Sequence, residues 1–199
     1  MSTLISVLLL CLVCGQSYGF LGGLFKDPPV TVSEVDPVKY AGRWYQIYGN
    51  LLTQYLFTRN AFCVTADYGL LADGTGISVL NAGRKKSATG VLFNITGTAT
   101  YTNQVGQLDL QLAGVPVTGS YWITKLGPVN GDGLYEYSVV TDSKRVNLYV
   151  LARDPVSFKA SYDAEVLQFL ANDSFDSFFN KPIGVYQESD CQYAPLPEA

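Results

Sequence analysis

Histidine is absent from this chain of 199 residues. Ser-His-Asp triads and Cys-His dyads need histidine as the base, and the usual zinc sites rely on histidine or on several cysteines. The composition therefore predicts no catalytic residues and no metal site of these kinds. Runs of basic residues are also missing, and the net charge of −4 argues against nucleic acid as a partner.

Long apolar runs are missing after the amino terminus, where LISVLLLCLVCG is too short to span a membrane as a helix. Ser17 and Gly19 follow this run as the small residues expected just before a signal-peptidase cleavage site. We therefore predict a signal peptide over residues 1–19 and a single domain over residues 20–199, secreted to an extracellular location. A retained membrane anchor is the alternative.

Cysteine is scarce, and cleavage after Gly19 would leave only Cys63 and Cys191. Two cysteines in an oxidising compartment most simply form one disulfide. The alternative is a nucleophilic thiol at Cys63, which needs a neighbouring base that lowers its pKa. Since no histidine can serve as that base, we predict the disulfide.

Apolar and polar residues alternate along most of the chain, which is typical of half-buried β-strands. Turn sequences such as ADGTG and VNGDG separate these segments. The pattern predicts eight strands, at residues 43–48, 62–71, 76–82, 91–100, 107–112, 119–126, 135–139 and 147–153. Eight antiparallel strands in succession can close into an up-and-down barrel that leaves room for one small ligand. The predicted fold class is therefore all-β.

The last predicted strand, NLYVLAR, is apolar on both faces and should be covered on both sides. The residues that follow can supply the outer cover, because Ser161 can cap a helix that runs to about Ala171. This helix would carry an apolar stripe of Tyr162, Val166, Phe169 and Leu170. We therefore predict one C-terminal α-helix packed outside the barrel.

The segments YAGRWYQIY, at residues 40–48, and LYVLARDP, at residues 148–155, resemble signature motifs of the lipocalin family. The chain is most similar to the subgroup that contains apolipoprotein D, bacterial Blc-type, insect bilin-binding and plant temperature-induced lipocalins, over roughly residues 36–193. The resemblance implies a lipocalin calyx. It also implies that Gly42 lets the N-terminal segment cross the closed end, where Arg153 stacks on Trp44.

The predicted interior is an apolar cup that contains several tyrosine hydroxyls. Alternation along the strands, with Trp44 inward and Cys63 outward, predicts which residues face the cup. The predicted ligand-binding residues are Tyr48, Val64, Tyr68, Phe93, Ile95, Leu110, Tyr135, Tyr137 and Tyr149, with Gln46 and Ala66 on the same face. The resemblance supports Tyr68 and Tyr149 specifically. Such a cup suits a hydrophobic ligand with a few polar groups.

The leading hypothesis is a secreted carrier that buries a small hydrophobic ligand, performs no chemistry and requires no cofactor. The resemblance implies a fatty acid, lysolipid, steroid, retinoid, carotenoid or bound biliverdin as the ligand. Two alternatives remain open at this point. One is a lipid-modifying enzyme of the lipocalin type, and the other is an interaction or structural protein whose cup is vestigial.

Residues 51–57, LLTQYLF, follow the first strand at the open end of the predicted barrel. They are more apolar than a solvated loop usually is, and exposed apolar patches tend to mark interaction sites. We predict that this segment contacts a membrane surface or a second copy of the chain. The alternative is that its side chains fold inward and cover the ligand.

Two N-glycosylation sequons occur in the chain, at Asn94 and at Asn172. Asn94 lies on the polar face of its predicted strand, and Asn172 lies at the end of the predicted helix. Both side chains should therefore be exposed, and we predict glycans on both in a eukaryotic host.

Overall fold

The computed structural model describes residues 27–56 and 61–197, without the side chains of Tyr55 and Leu56. The predicted signal peptide and Phe57 of the apolar segment therefore lie outside the described residues. Within the described ranges, no helix is both long enough and apolar enough to cross a membrane.

A closed β-barrel forms most of the described structure. The strands are β1 (Gly42–Gly49), β2 (Ala61–Leu70), β3 (Gly76–Lys85), β4 (Val91–Tyr101), β5 (Gln107–Leu112), β6 (Gly119–Leu126), β7 (Tyr137–Thr141), β8 (Leu148–Ala152) and β9 (Ile183–Gly184). Each of the first eight pairs with its neighbour in sequence, and β8 and β2 both pair with β1, which closes the sheet. All pairings are antiparallel. The predicted eight-stranded up-and-down barrel is thus confirmed, and β9 is a short addition to β1.

Four helices accompany the barrel in the described part: α1 (Pro37–Tyr40), α2 (Leu51–Leu56), α3 (Pro155–Ser161) and α4 (Asp163–Asn172). The first helix lies at the closed end, which we call the floor. It begins where the Asp36 side chain accepts hydrogen bonds from the amides of Val38 and Lys39, with Pro37 at the first helical position. The opposite end, which we call the mouth, carries α2 and the β3–β4, β5–β6 and β7–β8 loops.

The apolar residues form one cluster inside the barrel and another between the barrel and the C-terminal helices. Strand β8 contributes to both clusters, as the apolar character of both its faces predicts. Tyr149 and Leu151 pack with the inner cluster. Its other residues, Leu148, Val150 and Ala152, are completely buried in the outer one. The outer face of the barrel at β7 and β8 is therefore as fully buried as the inner face.

The prediction of one helix capped by Ser161 is wrong in its start, because the outer cover consists of two short helices. Asp154 caps α3 by accepting a hydrogen bond from the Ser157 amide, and Pro155 occupies the first position. The Asp-Pro pair is a stronger start signal than a lone serine, since the proline has no amide to leave unsatisfied. Ser161 instead ends α3, and Tyr162 separates it from α4. In α4, Val166 and Leu170 are fully buried, as their spacing predicts.

The C-terminal segment is fixed along β2 by a disulfide and by an arginine. Cys63 and Cys191 form the predicted disulfide, with their Cα atoms 5.5 Å apart. Arg43 forms a two-pronged salt bridge with Asp67, at 2.8 Å for both contacts. The same guanidinium donates to the carbonyl of Ala194 at 2.8 Å. These contacts cover the outer face of β2 without using the interior.

Candidate ligand-binding cavity

The barrel encloses a cavity of about 450 Å³ above the inner cluster. Small-molecule sites in proteins usually measure about 300–1,000 Å³, so the volume is sufficient for a ligand. Six of the nine predicted ligand-binding residues line it, and they come from β2, β4, β5 and β8: Val64, Tyr68, Phe93, Ile95, Leu110 and Tyr149. Gln46 and Ala66 also line it, as alternation predicts.

Tyr48 lies outside the cavity, in contrast to its predicted inward position. The register of β1 against β8 shifts between Gln46 and Tyr48, and such a bulge breaks the alternation on which the prediction depended. Tyr48 instead packs in the outer cluster. Its hydroxyl donates to the Asp163 carboxylate at 2.8 Å and accepts from Lys159. The residue therefore attaches the C-terminal helices to the barrel.

Tyr137 also lies outside the cavity. The residues of β7 alternate between its two faces as predicted, but Tyr137 lies on the outer face and not on the predicted inner face. Tyr137 and Val139 belong to the outer cluster, whereas Val140 belongs to the inner one. The Tyr137 hydroxyl donates to Glu165 of α4 at 3.1 Å. Since the helices make the outer face of β7 apolar as well, hydrophobicity alone does not identify the inner face.

Tyr135 is the third predicted residue that does not line the cavity. It precedes β7 and forms an isolated bridge with Val129, so the strand's alternation does not extend to it. The Tyr135 hydroxyl accepts a hydrogen bond from the Asp36 amide at 3.0 Å. Its own amide donates to the Lys39 carbonyl at 3.2 Å. Tyr135 thus supports the floor from below.

Tyr121, which the sequence interpretation missed, connects a chain of buried hydroxyls at the base of the cavity. Its hydroxyl lies 2.6 Å from that of Tyr40 and donates to that of Tyr68 at 3.1 Å. The Tyr40 hydroxyl is also 3.0 Å from Ser138 Oγ. Tyr121 and Ile123 are flanked by Ser120 and Thr124 in β6, a signal that could have placed Tyr121 inside, but Trp122 between them obscures the alternation.

These hydroxyls are neutral at physiological pH. Burial raises the pKa of Tyr40 to about 12, with hydrogen bonds from Ser138 and Tyr121 opposing the shift. Burial also raises the pKa of Tyr68 and of Tyr121 well above the ordinary tyrosine value. At the side of the cavity, burial raises the pKa of Tyr149 to about 12. The cavity therefore offers uncharged hydrogen-bonding groups within an apolar wall.

Lys85 is the one cationic residue that lines the cavity, and no Asp or Glu of the described chain lines it. It lies at the mouth end of β3, where its side chain is exposed. Its Nζ is 5.7 Å from the centroid of the Phe93 ring. The charge at the entrance of the cavity is therefore positive. In the described ranges, no group of three or more His, Cys, Asp or Glu residues is placed to hold a metal ion.

The floor beneath the cavity is organised by Arg153. Its guanidinium lies 3.6 Å from the centroid of the Trp44 ring. Its nitrogens donate to four backbone carbonyls at 2.7–3.2 Å, those of Lys39, Ala41, Arg43 and Tyr135. Gly42 has φ of +93°, and a Cβ there would be 3.4 Å from the guanidinium. The positive φ favours glycine here, whereas a Cβ would only touch the guanidinium at ordinary contact distance.

Of the predicted surface sites, Asn94 also lines the cavity, whereas Asn172 and the described residues of α2 do not. Asn94 and Asn172 are both exposed, so a glycan could be accommodated on each, and their modification stays a prediction. In α2, Leu51 is exposed, Leu52 is half-buried and Thr53 is buried. The proposed interaction of residues 51–57 therefore also stays a prediction, and Phe57 lies outside the described residues.

A family model described as "Lipocalin-like domain" matches residues 35–177. No curated protein matches the chain. Among solved structures, Japanin from Rhipicephalus appendiculatus bound to cholesterol is similar, with 14% identity and a TM-score of 0.53 over 79% of this chain and 100% of that chain. H1 crustacyanin from the lobster Homarus americanus has 16% identity and a TM-score of 0.55, covering 82% of this chain and 92% of that one. A biogenic amine-binding protein has 14% identity and a TM-score of 0.58, covering 85% and 91% respectively.

The family match extends from the segment before α1 to the residues after α4, and so includes the barrel and its outer helices. At identities below a fifth, the solved structures show the shared fold alone. The chain belongs to the lipocalin-like domain family. The barrel that contains the cavity and carries the disulfide is thus a lipocalin-like domain.

Proposed function

We propose that the protein is a secreted carrier that holds one small hydrophobic ligand inside the barrel. The observation that carries the proposal is the enclosed cavity of about 450 Å³, whose wall is mainly apolar and whose base consists of neutral tyrosines. Burying about 300 Å² of apolar ligand surface would supply about 7 kcal/mol at 25 cal/mol per Å², before association costs. That is sufficient for a reversible carrier.

The charges around the cavity favour a neutral or anionic ligand. A cationic amine would be desolvated there without a carboxylate to pair with, which is costly. Lys85 at the mouth could instead contact a carboxylate or phosphate head group, while Tyr68, Tyr121 and Tyr149 offer hydroxyls to a neutral polar group. Fatty acids, lysolipids, steroids, retinoids, carotenoids and biliverdin remain the candidate ligands. Binding of cholesterol by Japanin is compatible with a neutral ligand in this fold.

Secretion and the subgroup belong to the same proposal. The disulfide between Cys63 and Cys191 supports an oxidising, extracellular location. The motifs DPVKYAGRWYQI and YVLARDP support a place in the subgroup of apolipoprotein D and the insect bilin-binding lipocalins.

The alternative of a lipid-modifying enzyme is less well supported. A thiol nucleophile in the cup would have to be Cys63, and its sulfur is bonded to Cys191. The alternative of a vestigial cup would need the interior to be filled by side chains, whereas a cavity of ligand size is present. No observation favours either alternative over the carrier.

Two measurements on the natively purified protein test the proposal. The absorption spectrum and the mass of solvent-extracted lipid identify a resident ligand, and a visible band separates a pigment from a colourless lipid. Competition with fluorescent fatty acid, retinol and a biogenic amine then tests the charge preference. We expect the first two probes to bind and the amine to bind at least about tenfold more weakly, equivalent to about 1.4 kcal/mol. No extractable ligand together with no uptake of any probe would contradict the carrier function.

A further inference from the structure

The mouth of the barrel carries exposed apolar side chains beside lysines at three separate places. Lys86 lies in the β3–β4 turn, and Val91 and Leu92 begin the strand after it. Lys144 lies in the β7–β8 loop two residues before the exposed Val146. The third place is the turn after α4, which contains Phe178, Phe179 and Lys181. Because exposed apolar residues and a lysine occur together in three separate loops, they indicate one shared surface and not an irregularity of a single loop.

The turn after α4 holds the largest of these side chains, Phe178 and Phe179, which are each 69% exposed. Their rings contact each other edge to face, at 5.3 Å between centroids. The turn is internally fixed, because Asn180 accepts from the Ser177 amide at 3.0 Å and donates to the Ser174 carbonyl at 2.9 Å. Two adjacent phenylalanines held in a fixed turn at this exposure are unusual for a surface in water.

Contacts at both ends of this turn place it beside the mouth. At one end, Asp173 accepts a hydrogen bond at 2.8 Å from Arg145 of the β7–β8 loop. At the other end, Ile183 pairs with Gly49, the last residue of β1. Gln54 of α2 also donates to the Ile183 carbonyl at 3.3 Å. The turn that carries the phenylalanine pair therefore ends beside α2, whose Leu51 is itself exposed.

Charges of both signs occur on this surface, with a lysine beside each of the three apolar places. Lys86, Lys144 and Lys181 are exposed and form no salt bridge with any residue in the described ranges. Of the carboxylates on the β7–β8 loop and the turn, Asp142 accepts from backbone amides of its own loop and Asp173 is paired with Arg145. Asp176 is exposed. Asp27, whose carbonyl accepts from Arg145, is exposed as well, and so are Glu188 and Asp190 in the segment whose Gln192 amide donates to Ala88 of the β3–β4 turn. The three lysines form no salt bridge with these carboxylates, and the Lys181 ammonium lies 5.9 Å from the centroid of the Phe178 ring.

We propose that the mouth docks on an anionic lipid surface, with Phe178 and Phe179 inserted at the level of the head groups and Lys86, Lys144 and Lys181 contacting lipid phosphates. Aromatic side chains and flanking lysines are the residues that favour a membrane interface. Each lysine near an anionic membrane contributes attraction that depends on salt. The docked orientation would place the cavity opening against the lipid.

A second copy of this chain fits the surface less well than lipid does. A two-fold contact brings the same patch of each subunit together, so the three lysines of both copies would be removed from water in one interface. Like charges in a desolvated interface are unfavourable. An anionic lipid surface satisfies the lysines and the phenylalanines at once.

Docking would let a hydrophobic ligand move between the lipid and the cavity without crossing water. This role in ligand transfer rests on the proposed carrier function. The docking itself does not, because none of the three lysines or two phenylalanines lines the cavity. Membrane binding and ligand binding can therefore be measured separately on the same variants. Loss of one with the other intact identifies which proposal fails.

Vesicle flotation tests the docking, using the intact secreted protein and vesicles of phosphatidylcholine with or without phosphatidylserine. We expect binding only to the anionic vesicles and weaker binding as salt is raised. The triple substitution Lys86→Gln, Lys144→Gln and Lys181→Gln should weaken binding about a hundredfold, taking about 1 kcal/mol for each lysine. The double substitution Phe178→Ser and Phe179→Ser should weaken it at least about tenfold.

Matched controls at the floor of the barrel separate docking from general loss of charge or apolar surface. Val38→Ser removes an exposed apolar residue and Lys39→Gln removes a half-buried cation, paired with Asp36, at the opposite end. Both controls should bind vesicles as the unmodified protein does, and unchanged melting temperatures should show that all variants are folded. Equal binding to neutral and anionic vesicles, or full binding by the mouth variants, would overturn the proposal. So would self-association that the phenylalanine variant abolishes while vesicle binding is absent.

Discussion

The guanidinium of Arg153 stacks on the completely buried ring of Trp44, 3.6 Å from its centroid, and at the same time donates to four backbone carbonyls. One side chain thereby joins the segment before β1, the start of β1 and Tyr135, two residues before β7. The lipocalin floor is thus closed by a cation that satisfies backbone groups and not by apolar packing alone. Its contacts do not reach the ligand cavity above.

Arg153→Ala should therefore destabilise the barrel without abolishing ligand binding. Loss of the stacking costs about 1–2 kcal/mol, and each buried carbonyl left unpaired adds about 1–3 kcal/mol, so we expect a loss of about 3 kcal/mol or more. Arg153→Lys keeps the charge but cannot reach all four carbonyls, and should lose an intermediate amount. Denaturant unfolding measures both variants.

The matched control for this prediction is Arg84→Ala at the mouth. Arg84 donates to the carbonyls of Gln192 and Gly90, near the surface. Its removal should cost only about 1 kcal/mol. An Arg153→Ala protein as stable as the Arg84→Ala protein would show that the floor does not depend on the stacked arginine.

The buried tyrosines predict a loss of stability at alkaline pH. Burial raises the pKa of Tyr40 and of Tyr149 to about 12, and that of Tyr68 and Tyr121 well above its usual value. Between pH 10 and pH 12 these groups keep their protons when folded and lose them when unfolded, so stability falls as pH rises. Burial lowers the pKa of Arg153 to about 10, which has the opposite sign but concerns a single group.

Absorbance of tyrosinate, followed together with circular dichroism, measures this effect. Of the 14 tyrosines in the chain, these four and Tyr137, whose pKa burial also raises well above the usual value, should ionise only as the barrel unfolds. Tyr121→Phe should reduce the late-titrating set by one. If all tyrosines ionised near pH 10 in a folded protein, the hydroxyl chain would be accessible to solvent, contrary to its burial.

The disulfide should contribute to stability and leave the secreted protein without a reactive thiol. Its two cysteines are separated by 128 positions, and closing a loop of this length stabilises by about 4–5 kcal/mol in the chain-entropy model. The double substitution Cys63→Ser and Cys191→Ser should lower the free energy of unfolding by about this amount. One reactive thiol per secreted chain would contradict the pairing and support a lipid-modifying enzyme.

Glycans are expected on Asn94 and Asn172, which are both exposed in the structure. Protein secreted from a eukaryotic host should be heavier than the bare chain and should lose that mass on enzymatic deglycosylation. The variants Asn94→Gln and Asn172→Gln should each remove one glycan. A secreted protein with the mass of the bare mature chain would contradict the prediction.

Sequence reasoning predicted the barrel because each strand's hydrophobic pattern is local and the motif residues are distinctive. Arg153 lies more than a hundred positions after Gly42 and Trp44 in sequence, and the family resemblance alone placed it in contact with them. The cavity wall was predicted where one face of a strand is apolar and the other polar, as for Ile95 in β4.

The errors have separate physical causes. Tyr48 follows a β-bulge, which local patterns do not reveal. Tyr137 lies in a strand covered on both faces, so hydrophobicity does not distinguish inside from outside. Tyr135 lies beyond the end of that strand, and Ser161 follows a stronger helix start at Asp154. For the three tyrosines, contacts distant in sequence determined the outcome, whereas the helix start was a local signal that was overlooked.

Ligand uptake by two tryptophan variants of β4 tests the carrier function most directly. Ile95 lines the cavity, whereas Thr98 on the same strand is exposed on the outer face. If the ligand lies in the cavity, Ile95→Trp should fill its space and weaken binding of fluorescent fatty acid or retinol at least about tenfold, or about 1.4 kcal/mol. Thr98→Trp should bind as the unmodified protein does, and both should keep their melting temperatures. Equal affinities for the two variants, or weakening by Thr98→Trp alone, would show that the ligand is not held in the barrel.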